Sequence, residues 1–132
     1  MSRVDERPAE GPVPRWEIPE WRERFGLIAG VTGRGSDPAA PFDLGLHGDL
    51  PVAASMRRWG DLRQSFSEID GMVLSRQVHG TAVRWHRDLP AGWLLLDGCD
   101  GHATAASSRL LLVTVADCVP RSEEHTSELR HV

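Results

Sequence analysis

Apolar side chains recur at helical spacing in one stretch of the chain. The positions are Val52, Met56, Trp59, Leu62 and Phe66. Residues three or four positions apart share one face of an α-helix, so this spacing is typical of an amphipathic helix. Asp49 and Pro51 stand just before the first of them, and residues of these types commonly precede or begin helices. The pattern therefore predicts one amphipathic helix after Pro51.

Other stretches are short apolar runs bounded by glycine, proline and aspartate, which is typical of β-strands. The predicted strands cover residues 27–31, 72–79, 82–85, 93–96 and 110–116. The second bends at Gly80 before the third begins, and Asp97 with Gly98 closes the fourth. The last is a near-continuous apolar run, which predicts a strand covered on both faces.

The chain divides into three parts by composition. Residues 1–24 are rich in proline and predict a flexible N-terminal arm, which Trp16, Ile18 and Trp21 would pin onto the domain formed by residues 25–120. Residues 121–132 form a sudden polar stretch that resembles the in-frame translation of a sequencing-adapter oligonucleotide, so this tail is expected to be non-native. The alternative for the tail is a genuine terminal helix.

Composition and charge exclude several kinds of chemistry. The chain has 15 basic residues against 19 acidic ones, for a net charge of −4, and it contains neither lysine nor asparagine. Without lysine it has no Schiff-base nucleophile and no P-loop lysine, and without asparagine it has no Cys-His-Asn triad. An acidic chain with no basic block predicts no nucleic-acid partner.

The absence of long apolar segments bears on location. No stretch approaches the roughly 20 apolar residues of a membrane span, and the N-terminus lacks a signal-peptide pattern. We therefore expect a cytoplasmic protein with no membrane partner. Two cysteines, Cys99 and Cys118, are too few for a disulfide framework, and a reducing compartment would keep both as thiols.

Two predicted strand ends carry side chains suited to chemistry. His79 follows Gln77 at the end of one strand, and Cys118 follows Asp117 at the end of another. An imidazole and a thiolate brought together would suit zinc or copper, or a Cys-His nucleophile pair. Spacing alone does not establish such a site, and residue type by itself favours a structural role for both, because free cysteine is often simply buried.

Two weaker candidates lie elsewhere in the chain. Cys99 and His102 have a C-x-x-H spacing, which without a second pair is a poor zinc signal. Arg34 stands between Gly33 and Gly35, where backbone N–H groups and a guanidinium would surround a phosphate. The segment matches neither the Walker nor the Rossmann pattern, so an ordinary turn is the alternative.

Five segments together resemble the YfiH-type laccase-domain family, whose members are described as polyphenol oxidase, peptidoglycan editing factor or purine nucleoside phosphorylase. The segments are residues 30–35, 41–47, 77–80, 100–104 and 116–120. Gln-Val-His-Gly and Ala-Asp-Cys-Val-Pro are the most specific of them. The resemblance implies an α+β fold with layered mixed β-sheets flanked by helices, incomplete in this chain.

The resemblance also implies a metal site. His79 and Cys118 would be two of three ligands to one metal ion, zinc or copper. The third would be the histidine of a His-Ala-Gly-Trp-Arg-Gly motif, which the sequence does not contain. On this basis the chain is expected to be an inactive, truncated part of a longer enzyme.

The activity implied by the resemblance is phosphorolysis of purine nucleosides, namely adenosine, inosine and methylthioadenosine, together with adenosine deamination. The partners would be a purine nucleoside and phosphate, with Arg34 as the candidate phosphate-binding residue. Asp117 would orient a ligand or shuttle a proton. The alternatives are a copper-linked polyphenol oxidase and a Cys-His hydrolase with Cys118 as nucleophile.

Overall fold

The computed structural model describes residues 4–46 and 49–115. These residues form two units, one containing residues up to Leu44 together with Val115, and the other comprising Gly45–Thr114. Short β-sheets and two helices make up the described chain, so the fold class is α+β, as predicted. Neither helix has the length and apolar character needed to cross a membrane.

The first unit contains a three-stranded antiparallel sheet. Strands β1 (Arg7–Pro8), β2 (Arg15–Glu17) and β3 (Gly30–Thr32) lie in that order, with β2 in the middle. Strand β3 overlaps the end of the strand predicted over residues 27–31. At the centre of the ladder, Trp16 of β2 stands opposite Val31 of β3.

Helix α1 (Pro19–Phe25) lies between β2 and β3 and was not expected from the sequence. Its proline occupies the first turn, where the missing N–H has no intrahelical partner to lose. It ends at Gly26, whose φ of 65° is a left-handed conformation that glycine adopts freely. Ile18 and Trp21 are buried, whereas Trp16 is 43% exposed. The segment predicted as an arm therefore contains regular secondary structure.

The second unit contains α2 (Val52–Gln64), which confirms the predicted helix. Trp59 and Leu62 are buried at 4% and 3% exposure, whereas Val52 and Met56 remain 68% and 40% exposed. Trp59 packs against Trp93 with ring centroids 6.4 Å apart. The buried side of α2 is therefore narrower than the apolar spacing predicts.

The central sheet of the second unit is parallel. Its strands β4 (Gly71–Arg76), β6 (Gly92–Asp97) and β8 (Arg109–Leu111) stand in the order β6-β4-β8. Strand β4 lies between two neighbours, and its first five residues are all buried. Strands β5 (Val83–His86) and β7 (Gly101–Thr104) form a separate parallel pair.

The apolar run over residues 110–116 departs from its prediction. Strand β8 ends at Leu111, although the Leu112 N–H still donates to the Val73 carbonyl at 3.0 Å. Val113 and Val115 are 61% and 46% exposed. The expectation of a strand covered on both faces is therefore wrong for these two residues. Within the described sheet β8 has β4 as its neighbour on one side, so its other edge lacks a strand.

Candidate functional site

The carboxyl ends of β4 and β6 lie side by side in the second unit. The two strands are parallel, and their last paired residues are Arg76 and Asp97. Beyond them the chain enters two loops, one carrying residues 77–80 and the other carrying residues 98–100. Side chains that follow the carboxyl ends of parallel strands commonly form ligand sites. His79 therefore occupies a suitable place for a functional residue.

One carboxylate holds the loop that carries His79. Asp100 Oδ1 accepts hydrogen bonds from the backbone N–H groups of Val78 and His79, each at 2.9 Å, and Oδ2 accepts the Gly80 N–H at 2.8 Å. Three successive backbone donors around one anion form a compact anion-binding turn. We call Asp100 with residues 78–80 the Asp100 turn.

The Asp100 turn stabilises an unusual backbone conformation. His79 has a φ of 59°, in the left-handed region, which costs a non-glycine residue about 1–2 kcal/mol. In return, the N–H donors stabilise the charged carboxylate. The hydrogen bond from Gly80, with those from Val78 and His79, lowers the pKa of Asp100 despite its desolvation.

A second contact ties the same loop to the chain after β8. The Gln77 side-chain amide donates to the Thr114 carbonyl at 2.8 Å. Gln77 lies two positions before His79, and Thr114 lies four positions before Cys118. The chain after β8 is therefore attached, at Thr114, to the loop that carries His79.

A polar cluster lies beneath this end of the sheet. Ser75 Oγ is 2.9 Å from Cys99 Sγ and 3.0 Å from His102 Nε2, and His102 Nδ1 is 2.9 Å from His86 Nε2. Ser75, Cys99 and His86 are buried, at 7%, 7% and 8% exposure, while His102 is half-buried. The sequence pairs Cys99 with His102, and the structure adds Ser75 and His86 to them.

The cluster keeps His102 neutral. Desolvation lowers the pKa of His102 most strongly, followed by the charges of His86 and Arg84. Its ring also stacks on His86, with centroids 5.1 Å apart and planes inclined by 26°. A neutral imidazole both donates and accepts hydrogen bonds, as the contacts to Ser75 and His86 require.

Arg34 belongs to the first unit, whereas His79 belongs to the second. Arg34 is exposed and follows β3. The Gly33 N–H donates to the Pro14 carbonyl at 2.9 Å, so it is not free to bind phosphate. A Cβ at Gly33 would lie 2.6 Å from the Trp16 ring, which explains the glycine by packing. Without the Gly33 N–H, the predicted phosphate site depends mainly on the Arg34 guanidinium.

Two of the predicted site residues, Asp117 and Cys118, lie outside the described residues, so their roles stay predictions. Among residues 4–46 and 49–115, no group of three or more histidine, cysteine, aspartate or glutamate side chains is arranged to hold a metal ion. The C-x-x-H pair of Cys99 and His102 is part of the polar cluster, with Cys99 Sγ 4.0 Å from His102 Nε2.

Sequence reasoning missed the roles of Asp100, Ser75 and His86. Asp100 stands in one of the family-like segments, but its partners lie 20 to 22 positions earlier in the chain. Ser75 shares a strand face with Val73 by period-two alternation, which indicates burial and not a partner. These contacts depend on how separate strands pair, and local patterns carry no direct signal for them.

Comparison of the sequence with known protein families identifies the family to which the chain belongs. The family model for multi-copper polyphenol oxidoreductase laccase matches residues 27–121. Searches of curated proteins and of solved structures find no significant match. The matched range includes Gln-Val-His-Gly, the Asp100 turn and Ala-Asp-Cys-Val-Pro. The chain therefore belongs to the multi-copper polyphenol oxidoreductase laccase family, the laccase-domain family of YfiH type that its motifs resemble.

Proposed function

We propose that the protein is a metal-dependent purine nucleoside phosphorylase that also deaminates adenosine. Its substrates would be adenosine, inosine or methylthioadenosine, with phosphate as the second substrate. The family match over residues 27–121 supports an enzyme of laccase-domain type. The specific reaction rests on the resemblance of the segments around His79 and Cys118 to those of the nucleoside phosphorylases in that family.

The hydrogen bond between Gln77 and Thr114 is the observation that carries this proposal. It attaches the loop that carries His79 to Thr114, at 2.8 Å between the amide nitrogen and the carbonyl oxygen. The His79 side chain is exposed on its loop, so its imidazole is accessible to a metal ion. Only three residues separate Thr114 from Cys118 along the chain.

The donor set fits a metal of borderline softness. A neutral imidazole at His79 and a thiolate at Cys118 are both ligands that zinc prefers, and copper accepts the same pair. When bound, the metal would supply Lewis acidity, which makes water acidic enough to give hydroxide near neutral pH. The proposed third ligand is the histidine of a His-Ala-Gly-Trp-Arg-Gly motif, which the sequence does not contain.

The chain's own residues have distinct proposed tasks. Asp100 accepts the backbone N–H of His79 and so fixes the loop from which the His79 imidazole would bind the metal. The Arg34 guanidinium would bind phosphate through charge-assisted hydrogen bonds. Asp117, next to Cys118, would move a proton to or from the nucleoside.

Zinc titration tests the metal site. Zinc is added to metal-free protein, and binding is followed by calorimetry for the wild type and for His79→Ala and Cys118→Ser. Each substitution removes a ligand, so the affinity should fall by more than about tenfold. Cys99→Ser is the matched thiol control and should leave the zinc affinity unchanged. Equal losses in Cys99→Ser and Cys118→Ser would overturn the assignment of Cys118.

Turnover is tested separately, because the proposed third ligand belongs to a motif that the sequence does not contain. A preparation that carries the His-Ala-Gly-Trp-Arg-Gly motif is incubated with inosine, with and without phosphate, and the free base is measured chromatographically. We expect phosphate-dependent base release that His79→Ala abolishes, and no turnover from the 132-residue chain without that motif. Zinc-loaded protein that releases no base would overturn the phosphorylase while leaving the metal site standing.

The second candidate is a copper-linked polyphenol oxidase, which the description of the matching family favours. A single His and Cys pair is a narrow basis for multicopper chemistry, because several copper ions would need further ligands. Copper-loaded protein is assayed for oxygen uptake with a diphenol. Uptake that depends on His79 and exceeds that of the zinc form would favour the oxidase over the phosphorylase.

A further inference from the structure

The buried polar cluster forms a continuous chain of hydrogen bonds. Ser75 Oγ lies 3.0 Å from His102 Nε2, and His102 Nδ1 lies 2.9 Å from His86 Nε2. A neutral His102 that donates from Nδ1 to His86 must accept at Nε2, and the Ser75 hydroxyl is the donor in reach. Cys99 Sγ, 2.9 Å from Ser75 Oγ, can then donate to that oxygen.

This arrangement has the parts of a nucleophilic site. A hydroxyl lies within hydrogen-bond reach of a base, and a third group orients that base, which is the general signature of an activated serine. Ser75 is held on the central strand β4, and His102 and His86 are held on β7 and β5. The Thr104 hydroxyl donates to the His86 carbonyl at 2.8 Å and ties these two strands together.

We infer that Ser75, His102 and His86 form a nucleophile, base and orienting group that cleave small acyl esters. The proposed reaction uses neither of the proposed metal ligands. Ser75 and His86 are buried and His102 is half-buried. Access therefore favours short acyl groups over large ones.

The reaction proceeds in two balanced steps. Ser75 Oγ attacks the ester carbonyl carbon while its proton passes to His102 Nε2. The bond to the leaving alcohol breaks, and the alcohol departs with that proton, which leaves an acyl-serine. Water then attacks the acyl-serine, gives a proton to His102, and releases the acid as Ser75 regains its hydrogen.

The surroundings of His102 suit a base. Desolvation, His86 and Arg84 lower its pKa, so the imidazole is neutral near pH 7 and able to accept the serine proton. Since His102 must be neutral, the rate should fall only when the pH drops below the ordinary histidine value of 6.5.

Covalent labelling tests the assignment of Ser75. The protein is treated with a fluorophosphonate, in which the serine oxygen displaces fluoride, and the modified residue is found by mass spectrometry. We expect one phosphonyl group on Ser75, which His102→Gln reduces by about a hundredfold in rate. The exposed Ser67 provides the matched control, because Ser67→Ala should leave labelling unchanged. A label on another residue, or no label, would overturn the inference.

Ester hydrolysis provides the second measurement. With 4-nitrophenyl acetate, Ser75→Ala should lose the catalysed rate while keeping both imidazoles, and Ser67→Ala, at an exposed serine outside the cluster, should retain it. Equal rates in the wild type and Ser75→Ala would mean that the histidines act alone, and a loss confined to Cys99→Ala would make the thiol the nucleophile. Either result overturns the assignment of Ser75. Circular dichroism checks that each variant is folded, and if Ser75→Ala is not, the loss of rate is measured in His86→Gln, which removes the orienting group.

Discussion

At the scale of single residues, the backbone N–H donors around Asp100 lower the pKa of its carboxyl group more than desolvation raises it. Asp100 accepts three backbone N–H groups within 2.9 Å, although its carboxylate is near the surface. Asp97, three positions earlier, forms an exposed ion pair with Arg76 at 2.6 Å. An exposed ion pair of this kind contributes little, because water screens the charges and the side chains lose freedom. The two aspartates therefore have different tasks despite their proximity in the chain.

Asp100→Asn should loosen the loop that carries His79. The amide of asparagine presents an N–H group where one carboxylate oxygen accepted a backbone N–H, so at least one of the three hydrogen bonds is lost. We expect faster hydrogen exchange at the amides of residues 78–80, measured by NMR. Asp97→Asn should leave those exchange rates unchanged, and equal rates in all three proteins would contradict this role of Asp100.

At the scale of elements, the periodicity of apolar residues predicted the helix and strands whose buried side chains recur at regular spacing. Helix α2 follows its apolar spacing, and strands β4 and β6 lie within or beside the predicted runs. Strand β7 was missed because Gly101–Thr104 contains little of the apolar alternation by which a strand is recognised. Helix α1 was missed because Pro19 resembles a helix breaker, whereas a proline in the first turn begins a helix.

Leu62→Ala should test how strongly α2 is held. Leu62 is 3% exposed, and truncation of a buried leucine to alanine costs about 2–5 kcal/mol in free energy of unfolding. Val52 lies on the same helix at 68% exposure, so Val52→Ala is the control and should change that free energy by less than about 0.5 kcal/mol. Urea denaturation followed by circular dichroism measures both. Similar effects of the two substitutions would mean that α2 does not pack through Leu62.

At the scale of the whole molecule, the sequence predicted the family and the fold class but not the way side chains meet. The family follows from short motifs, which are local. The Asp100 turn and the polar cluster join positions 16 to 27 residues apart, and such pairs depend on strand pairing and register. Arg34 and His79 were predicted to serve one reaction, and they belong to different units of the chain.

Stability of the folded chain should fall on acidification in two stages. The folded state lowers the pKa of His102, so below about pH 6.5 the unfolded chain binds a proton more readily and stability is lost. The pKa of Asp100 is lowered from 3.8, so its contribution is present above that pH and is lost as the pH falls further. Urea denaturation between about pH 8 and pH 3 measures both stages.

The variants assign the two stages. His102→Gln should remove the pH dependence near 6.5 while leaving the more acidic stage, and Asp100→Asn should do the reverse. A wild-type protein whose free energy of unfolding is constant between about pH 7 and pH 5 would contradict the depressed histidine pKa.

The pairing of β4 with β6 has a consequence for the order of folding. Their register ends at Arg76 opposite Asp97, and Asp100 then meets residues 78–80 within a few positions of that last pair. Once the strands have aligned, closing the Asp100 turn adds almost no further loop-closure entropy, because the long chain between them is already closed. Because the turn forms only where both strand ends are already in place, the loop bearing His79 should assemble after β4 and β6 have paired, and changes in Asp100 should mainly speed unfolding.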